Sequence, residues 1–398
     1  MIIKPRTRGF ICTTAHPEGC AQQVQEQIQY VGGQPHLQNG PRNVLVIGAS
    51  AGYGLSARIV AAFGAGATTV GIYRKSEAAK GRTASAGWYN STAFEHAAAK
   101  AGLKSFSVTG DAFTDETKAK AVELIRKEIG QVDLVIYSVA TARRIDPETG
   151  ETANSVLKPI SDSYTNKTVN FHTGEVSLVT LEPATESETK DTVTVMGGDD
   201  WQRWIDALQQ GGVLADDATT ISYSYIGSQI TQDIYRAGTI GRAKDHLEAT
   251  AQHLHEQLNA TGGRAYVTVS KALVTQSSSA IPVVPLYVSA LYKVMKEKGL
   301  HENTIQQTYR LFADRLYSST GTVPLDEEGR IRIDDWELRD DVQAEVTEIW
   351  NAITSDNIDQ LTDLDGYRRE FFQLFGFETE GVDYEADVDP NVVAPNIY

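Results

Sequence analysis

The sequence predicts an α/β fold: a doubly wound, mainly parallel sheet with helices on both faces and a small β-hairpin excursion. Three observations carry this. In residues 43–58 the apolar run Val44, Leu45, Val46, Ile47 leads into a glycine turn and then the start of a helix. Short β-branched runs and helical patterns then alternate, the mark of parallel strands joined by helices. The chain has 398 residues, 41% hydrophobic and 22% charged, which is ordinary globular composition and long enough for a large core. We read residues 1–398 as one domain.

Residues 1–40 show no regular pattern and read as a folded N-terminal flap. Cys12, His16 and Cys20 have a metal-like spacing, but a fourth ligand is missing nearby and Pro17-Glu18-Gly19 reads as a turn, so no metal site is assigned. Residues 43–47 form strand one. Its apolar run suits a strand buried on both faces. Gly48, Gly52 and Gly54 follow as GxxxGxG, between strand and helix, which is the context that a dinucleotide-binding turn requires. The helix N-terminus then offers free N–H groups and a positive dipole end to phosphates.

Residues 68–73 read as strand two, 91–100 as a helix, and 105–109 as strand three. Thr114 precedes a helix with apolar positions at Ala121, Leu124 and Ile125, and residues 132–137 form strand four. Residues 141–195 break the rhythm. They are polar and Thr-rich, with turn signals at Gly150 and Gly174, and read as a β excursion. A helix follows over 200–208, strand five over 219–226, a helix over 241–258 and strand six over 264–270. Residues 280–374 read as a helical substrate cover and C-terminal helices, interrupted over 318–332. Residues 377–389 form an acidic tail.

The net charge of −16 and pI of about 5.0 argue against nucleic acid, which needs a basic surface. Two cysteines fit a reducing compartment. No apolar h-region follows the N-terminal basic residues, and the best apolar run, 280–295, is broken by Pro282 and Pro285. The expectation is a soluble cytoplasmic protein with no membrane insertion.

Ligands of open parallel sheets bind beyond the carboxyl ends of the strands. Those positions hold the glycine turn, then Arg74 and Lys75, then Gly110, Asp111 and Ala112, then the small residues Ser138, Val139 and Ala140. After strand five come Tyr223, Tyr225, Tyr235 and Lys244. A tyrosine acid with a lysine close by is the pairing of short-chain reductases. On a continuous helix, nine residues would put Tyr235 and Lys244 on opposite faces. If they act together, the helix cannot run through both. Gly238 and Gly241 supply the break, and Thr239 is the expected N-cap. His172, His246, His253 and His255 read as surface residues.

At these residues the sequence resembles the FabV-type enoyl-ACP reductases and the similar trans-2-enoyl-CoA reductases, a branch of the short-chain dehydrogenase/reductase superfamily. The resemblance covers Arg8-Gly-Phe-Ile-Cys12, the GxxxGxG turn, Gly87-Trp-Tyr-Asn90, Gly110-Asp-Ala-Phe113, Tyr235-x8-Lys244, Val274-Thr-Gln276, Ala280-Ile-Pro282 and Asp383-Tyr-Glu-Ala-Asp387. It implies a monomer with a Rossmann core. It also implies that Tyr235 is the proton donor, that Lys244 holds the cofactor and that Tyr225 contacts the substrate. The cofactor is then expected against Gly48, Ala49, Ser50, Ala51, Gly52 and Tyr53, residues Arg74 and Lys75, Asp111 and Ala112, Val139 and Ala140, and Leu273, Val274 and Thr275.

The implied reaction reduces the double bond of a trans-2-enoyl thioester, on acyl carrier protein or CoA, with NADH or NADPH. A hydroxyl aimed at the thioester oxygen stabilises the enolate, with Tyr225 as the candidate and Tyr235 supplying the proton. Arg74 and Lys75 stand where the family usually has an aromatic and an acidic residue, so NADPH use is expected beside NADH. The run 281–295, with its two prolines, is expected to be an adjustable acyl cover. Arg143-Arg144 or Lys293, Lys296 and Lys298 are candidate basic patches for a carrier protein. A dinucleotide-sensing protein without turnover and a carbonyl-reducing dehydrogenase remain alternatives.

Overall fold

Seven strands make one fully parallel sheet. The strands of this sheet are numbered β1 (Asn43–Ile47), β2 (Thr68–Tyr73), β3 (Ser105–Thr109), β4 (Val132–Tyr137), β5 (Leu214–Ser224), β6 (Arg264–Val269) and β7 (Ile331–Arg332). Their spatial order is β7-β6-β5-β4-β1-β2-β3, with every neighbouring pair parallel. The order reverses beside β1, and ligands of such sheets bind at that switch point. The structure is a computed structural model and describes every residue except Phe10 and Lys80. Phe10, part of the motif at residues 8–12, lies outside the described residues.

The connections are helices: α1 (Pro17–Gly32), α2 (Gly52–Ile59), α3 (Ala86–Lys100), α4 (Asp115–Glu128), α5 (Glu186–Met196), α6 (Asp199–Gln210) and α7 (Thr239–Asn259). A C-terminal set follows: α8 (Val284–Glu297), α9 (Thr304–Leu311), α10 (Asp340–Ala352), α11 (Ile358–Leu361) and α12 (Leu364–Gln373). Val44, Leu45, Val46 and Ile47 are all fully buried, as helices on both faces require. The two faces form separate cores. Val44 and Val46 belong to the side packed by α1, α2, α3 and the C-terminal helices, Leu45 and Ile47 to the side packed by α4, α6 and α7.

Several elements differ from the sequence expectation. The N-terminal flap contains a 16-residue helix, α1. Pro17-Glu18-Gly19 is its first turn, where proline is tolerated because its missing N–H has no helical partner. His16 caps it: Nδ1 accepts from the Gly19 N–H at 3.2 Å, and burial lowers the imidazole pKa, which keeps that nitrogen an acceptor. Cys20 is buried with its thiol pKa pushed up. Helix α3 starts earlier than residue 91 because Ser85 caps it, accepting from the Trp88 N–H.

The excursion over 141–195 holds two antiparallel hairpins and a helix. Arg143–Ile145 pairs with Thr152–Asn154, Tyr164–Asn170 pairs with Glu175–Leu181, and α5 follows with a capping box between Thr185 and Glu188. The second hairpin is tied to the segments before α7 and α8: the Tyr164 hydroxyl donates to the Ile230 carbonyl at 3.0 Å and Thr168 to that of Pro282.

The run 281–295 enters a core helix, not the adjustable cover that its two prolines predict. Leu286, Tyr287, Val288, Ala290, Leu291, Tyr292 and Met295 of α8 are fully buried. Pro285 sits in the first turn and Pro282 before it, so neither breaks the helix.

Candidate active site

A cavity of about 680 Å³ opens at the carboxyl ends of β1 to β6. Gly48 to Tyr53, the turn between β1 and α2, forms its floor; Ala49 alone of these six is turned into the core. Arg74, Asp111, Ala112, Val139, Ala140, Leu273, Val274 and Thr275 line it, as do Tyr225, Tyr235 and Lys244. Lys75 does not. It lies outside, exposed and paired with Glu77 at 3.0 Å.

Two features of the cavity suit a dinucleotide. Gly52 opens α2 with φ +52°, and a Cβ added there would meet nothing within 4 Å. The space above it is open to a phosphate at a helix N-terminus. The Ala112 carbonyl, on the loop after β3, is held by the Lys118 ammonium at 2.9 Å; that ammonium also pairs with Asp200 at 2.7 Å. Asp200 in turn accepts from the Tyr137 hydroxyl at 3.0 Å. This buried network fixes the loop on which Asp111 sits.

Tyr235 and Lys244 reach the same cavity from different elements. Tyr235 lies in the turns before α7, with its N–H bonded to the Thr231 carbonyl at 3.0 Å. The cap of α7 is Gly238, not Thr239. Thr239 is the first helical residue, and its hydroxyl instead donates to the Val156 carbonyl at 2.5 Å. The chain folds back tightly between the two residues: a Cβ on Gly241 would lie 1.9 Å from the Arg236 carbonyl oxygen. Glycine is therefore required for the break that brings the tyrosine and the lysine to one cavity.

Both groups are electrostatically unusual. Burial pushes the Tyr235 hydroxyl up to about 12, so it holds its proton at neutral pH. Among the described residues it has no hydrogen-bond partner, although its ring stands edge-on to Tyr225 at 4.8 Å. Burial pulls the Lys244 ammonium down to about 8, and Glu248 opposes the shift. That ammonium has three N–H groups and one partner, the Tyr223 carbonyl at 3.0 Å. A buried ammonium with unused donors is suited to ligand hydroxyls.

The C-terminal half supplies residues that sequence reasoning missed. Lys271 lies just past the carboxyl end of β6, a position that the rule applied to the earlier strands would have singled out. Its ammonium donates to the carbonyls of Ala272 and Glu302, and burial pulls it down to about 8. Gln307 accepts from the Lys271 N–H at 3.1 Å and from the Tyr53 hydroxyl at 2.6 Å. Glu337 is fully buried and accepts from the Tyr225 hydroxyl at 3.1 Å. It sits in an irregular stretch with no periodicity to mark it.

The expected basic groups are engaged elsewhere. Arg74 pairs with Asp111 at 2.7 Å. Arg144 is buried against Asp199, and Lys293, Lys296 and Lys298 pair with Glu297, Asp363 and Glu345. These lysines form no free basic patch.

With this geometry in place, the comparisons are direct. Residues 82–317 match the catalytic region of trans-2-enoyl-CoA reductase, and residues 2–80 match the NAD(P)H binding domain of the same enzyme. The chain is 56% identical, over the whole of both chains, to a trans-2-enoyl-CoA reductase (NADH) of Ruminiclostridium cellulolyticum. It is 57% identical to an enoyl-acyl-carrier-protein reductase (NADH) of Flavobacterium johnsoniae, over 98% of each. The crystal structure of Clostridium acetobutulicum trans-2-enoyl-CoA reductase in complex with NADH superposes with a TM-score of 0.95 at 44% identity, over 98% of each chain.

The chain belongs to the trans-2-enoyl-CoA reductase family. It is an oxidoreductase of the enoyl reductase class with a Rossmann-type fold. Residues 325–388 also match a family region described as an enoyl reductase FAD binding domain. The residues there do not fit a flavin dinucleotide. Helices α10, α11 and α12 each carry carboxylates in the first turn, which would repel a pyrophosphate, and their aromatic side chains Trp350, Tyr367 and Phe371 are packed in the core. Among the described residues no helix is long and apolar enough to cross a membrane.

Proposed function

We propose that this chain reduces trans-2-enoyl thioesters with NADH, using Tyr235 as proton donor and Lys244 to hold the cofactor. The observation that carries this is the meeting of an unpartnered, protonated hydroxyl and an under-partnered ammonium in one dinucleotide-sized cavity. When bound, the reduced nicotinamide supplies the hydride for the β-carbon of the substrate. Lys244 donates its free N–H groups to the ribose hydroxyls. The N-terminus of α2, opened by Gly52, takes the pyrophosphate. Tyr235 donates to the thioester oxygen, stabilises the enolate as charge develops there, and supplies the proton. Tyr225 forms the aromatic wall against which the enoyl group lies.

NADH rather than NADPH fits the loop after β2. Arg74 and Lys75 are the cations there, and each already has a carboxylate partner, Asp111 and Glu77. CoA and acyl carrier protein both suit the reading as carriers, and relatives named for each are equally similar. Buried cysteines fit the cytoplasm. A monomer fits the sheet edge at β3, where Ser107 is already bridged to Ile397.

The test is cofactor oxidation with crotonyl-CoA. Tyr235→Phe is expected to lower kcat by roughly 10²–10⁴-fold, the usual weight of a positioned proton donor, while NADH still binds. Near-full turnover in that variant overturns the assignment.

A further inference from the structure

The hydroxyl of Tyr225 points away from the work that the cavity would give it. It donates to Glu337 Oε1 at 3.1 Å, and the Tyr287 hydroxyl donates to the same oxygen at 2.7 Å. The other carboxylate oxygen accepts from the Ala272 N–H at 2.6 Å. Three donors converge on one fully buried side chain. The Ala272 N–H can only donate, and charge-assisted bonds from the two hydroxyls favour the ionised form, so the arrangement suits a carboxylate. Burial raises the pKa of this carboxyl, and the hydrogen bonds from Tyr287 and Ala272, with the nearby Lys271 ammonium, offset that rise only in part.

A tyrosine has one hydroxyl proton. With that proton given to Glu337, Tyr225 meets the cavity with its ring and its oxygen lone pairs. Tyr235 has no such partner, so its proton remains available. We propose that Glu337 is a positioning residue that divides the roles of these two tyrosines: it withdraws Tyr225 as a donor and leaves Tyr235, of the pair, to donate to the thioester oxygen. Through the Ala272 N–H the same carboxylate fixes the start of the loop 271–275. The tyrosine that faces the substrate and the loop that faces the cofactor are thereby held by one group. This rests on the enoyl reductase reading above.

The consequence concerns productive binding. A second free hydroxyl beside Tyr235 gives the thioester oxygen another place to bond, in which the α-carbon is out of reach of the Tyr235 proton. Substrate caught there binds but does not react, and non-productive binding lowers kcat and KM together. In Glu337→Gln the amide carbonyl retains the Ala272 N–H. The amide NH₂ now faces the two tyrosyl oxygens and turns the Tyr225 proton toward the cavity.

The experiment measures kcat and KM for crotonyl-CoA in the parent, Glu337→Gln, Tyr225→Phe and the double variant, with NADH titrated by fluorescence to show that each is folded. In Glu337→Gln both kcat and KM are expected to fall about tenfold, with kcat/KM within threefold of the parent. In the Tyr225→Phe background the same change is expected to alter neither by more than twofold. Glu337→Met, which removes the acceptor without adding a donor, is expected to show the same joint fall. A raised KM, an unchanged kcat, or an equal effect with and without the Tyr225 hydroxyl overturns the proposal. Failure of the parent to turn over crotonyl-CoA would instead overturn the reading on which it rests.

Discussion

Lys244 should make the unliganded protein less stable, and replacing it with methionine should show this. Methionine has about the same length and reach but no charge. The ammonium ordinarily titrates at 10.5 and here at about 8, because burial strips its water. At about 1.4 kcal/mol per pH unit this is a cost on the order of 3 kcal/mol, an upper bound for a group that the chain satisfies with one carbonyl. The folded state holds this proton less tightly than the unfolded chain does. The penalty is therefore complete below pH 8 and fades as the pH rises from about 8 toward 10.5. Lys244→Met is expected to stabilise the free protein at pH 7 by about 1–3 kcal/mol. For a chain of this length, at about 2.1 cal/mol/K per residue, that is roughly 1–4 °C in Tm. The parent should recover about 2.7 kcal/mol with NADH at a hundred times its Kd, and the variant should recover little. The assay is thermal melting with and without NADH across pH 7–10, beside turnover. A variant less stable than the parent at pH 7, or a gap that does not close as the pH rises, would refute the reasoning.

Gly52→Ala meets no clash but puts an L-residue at φ +52°, a cost of about 1–2 kcal/mol, and points a methyl group into the phosphate space. Its NADH KM is expected to rise more than tenfold with only a few degrees lost in Tm; an unchanged KM would remove the phosphate from that seat. Glu77→Gln frees Lys75 and is expected to raise kcat/KM for NADPH about three- to tenfold with that for NADH little changed. Ile281 lines the cavity just before α8, so Ile281→Trp is expected to slow long-chain substrates well before crotonyl-CoA. Equal slowing of both would place the acyl chain elsewhere.

Strands β1 to β4 were legible in the sequence because they are short apolar or β-branched runs, and they begin and end where that pattern does; β5 starts earlier, at Leu214, and the two-residue β7 lies in the stretch 318–332 that reads as an interruption. The glycine turn was legible because its function demands glycine at fixed places. Tyr235 and Lys244 were legible as a candidate pair from their residue types and the family spacing, and the glycines between them made a shared cavity feasible. The features that stayed hidden had two physical causes. Prolines at 282 and 285 look alike in a sequence whether they break a helix or begin one; here Pro282 precedes α8 and Pro285 sits in its first turn. Tertiary partners leave no local mark: Glu337 lies in an irregular acidic stretch, 112 residues from the tyrosine that it holds. For the same reason Arg74 and Lys75 looked like free phosphate ligands when each was already paired.

The buried cations separate structure from function in this chain. Arg58 is fully buried, and Glu95, Thr69, Ser107 and the Phe106 carbonyl all take its N–H groups. Lys118 has Asp200 and a carbonyl, and Lys271 has two carbonyls and the face of Tyr292. Each is satisfied within the fold, as an interior charge must be unless something else is to satisfy it. Lys244 is buried too but has one partner among the described residues. Close by, the hydroxyls of Tyr223 and Ser224 line the same cavity without any. A fold that pairs these three buried cations and leaves the Lys244 donors open is shaped for a polar ligand at this place. The ribose and thioester oxygens of the proposed reaction are groups of that kind.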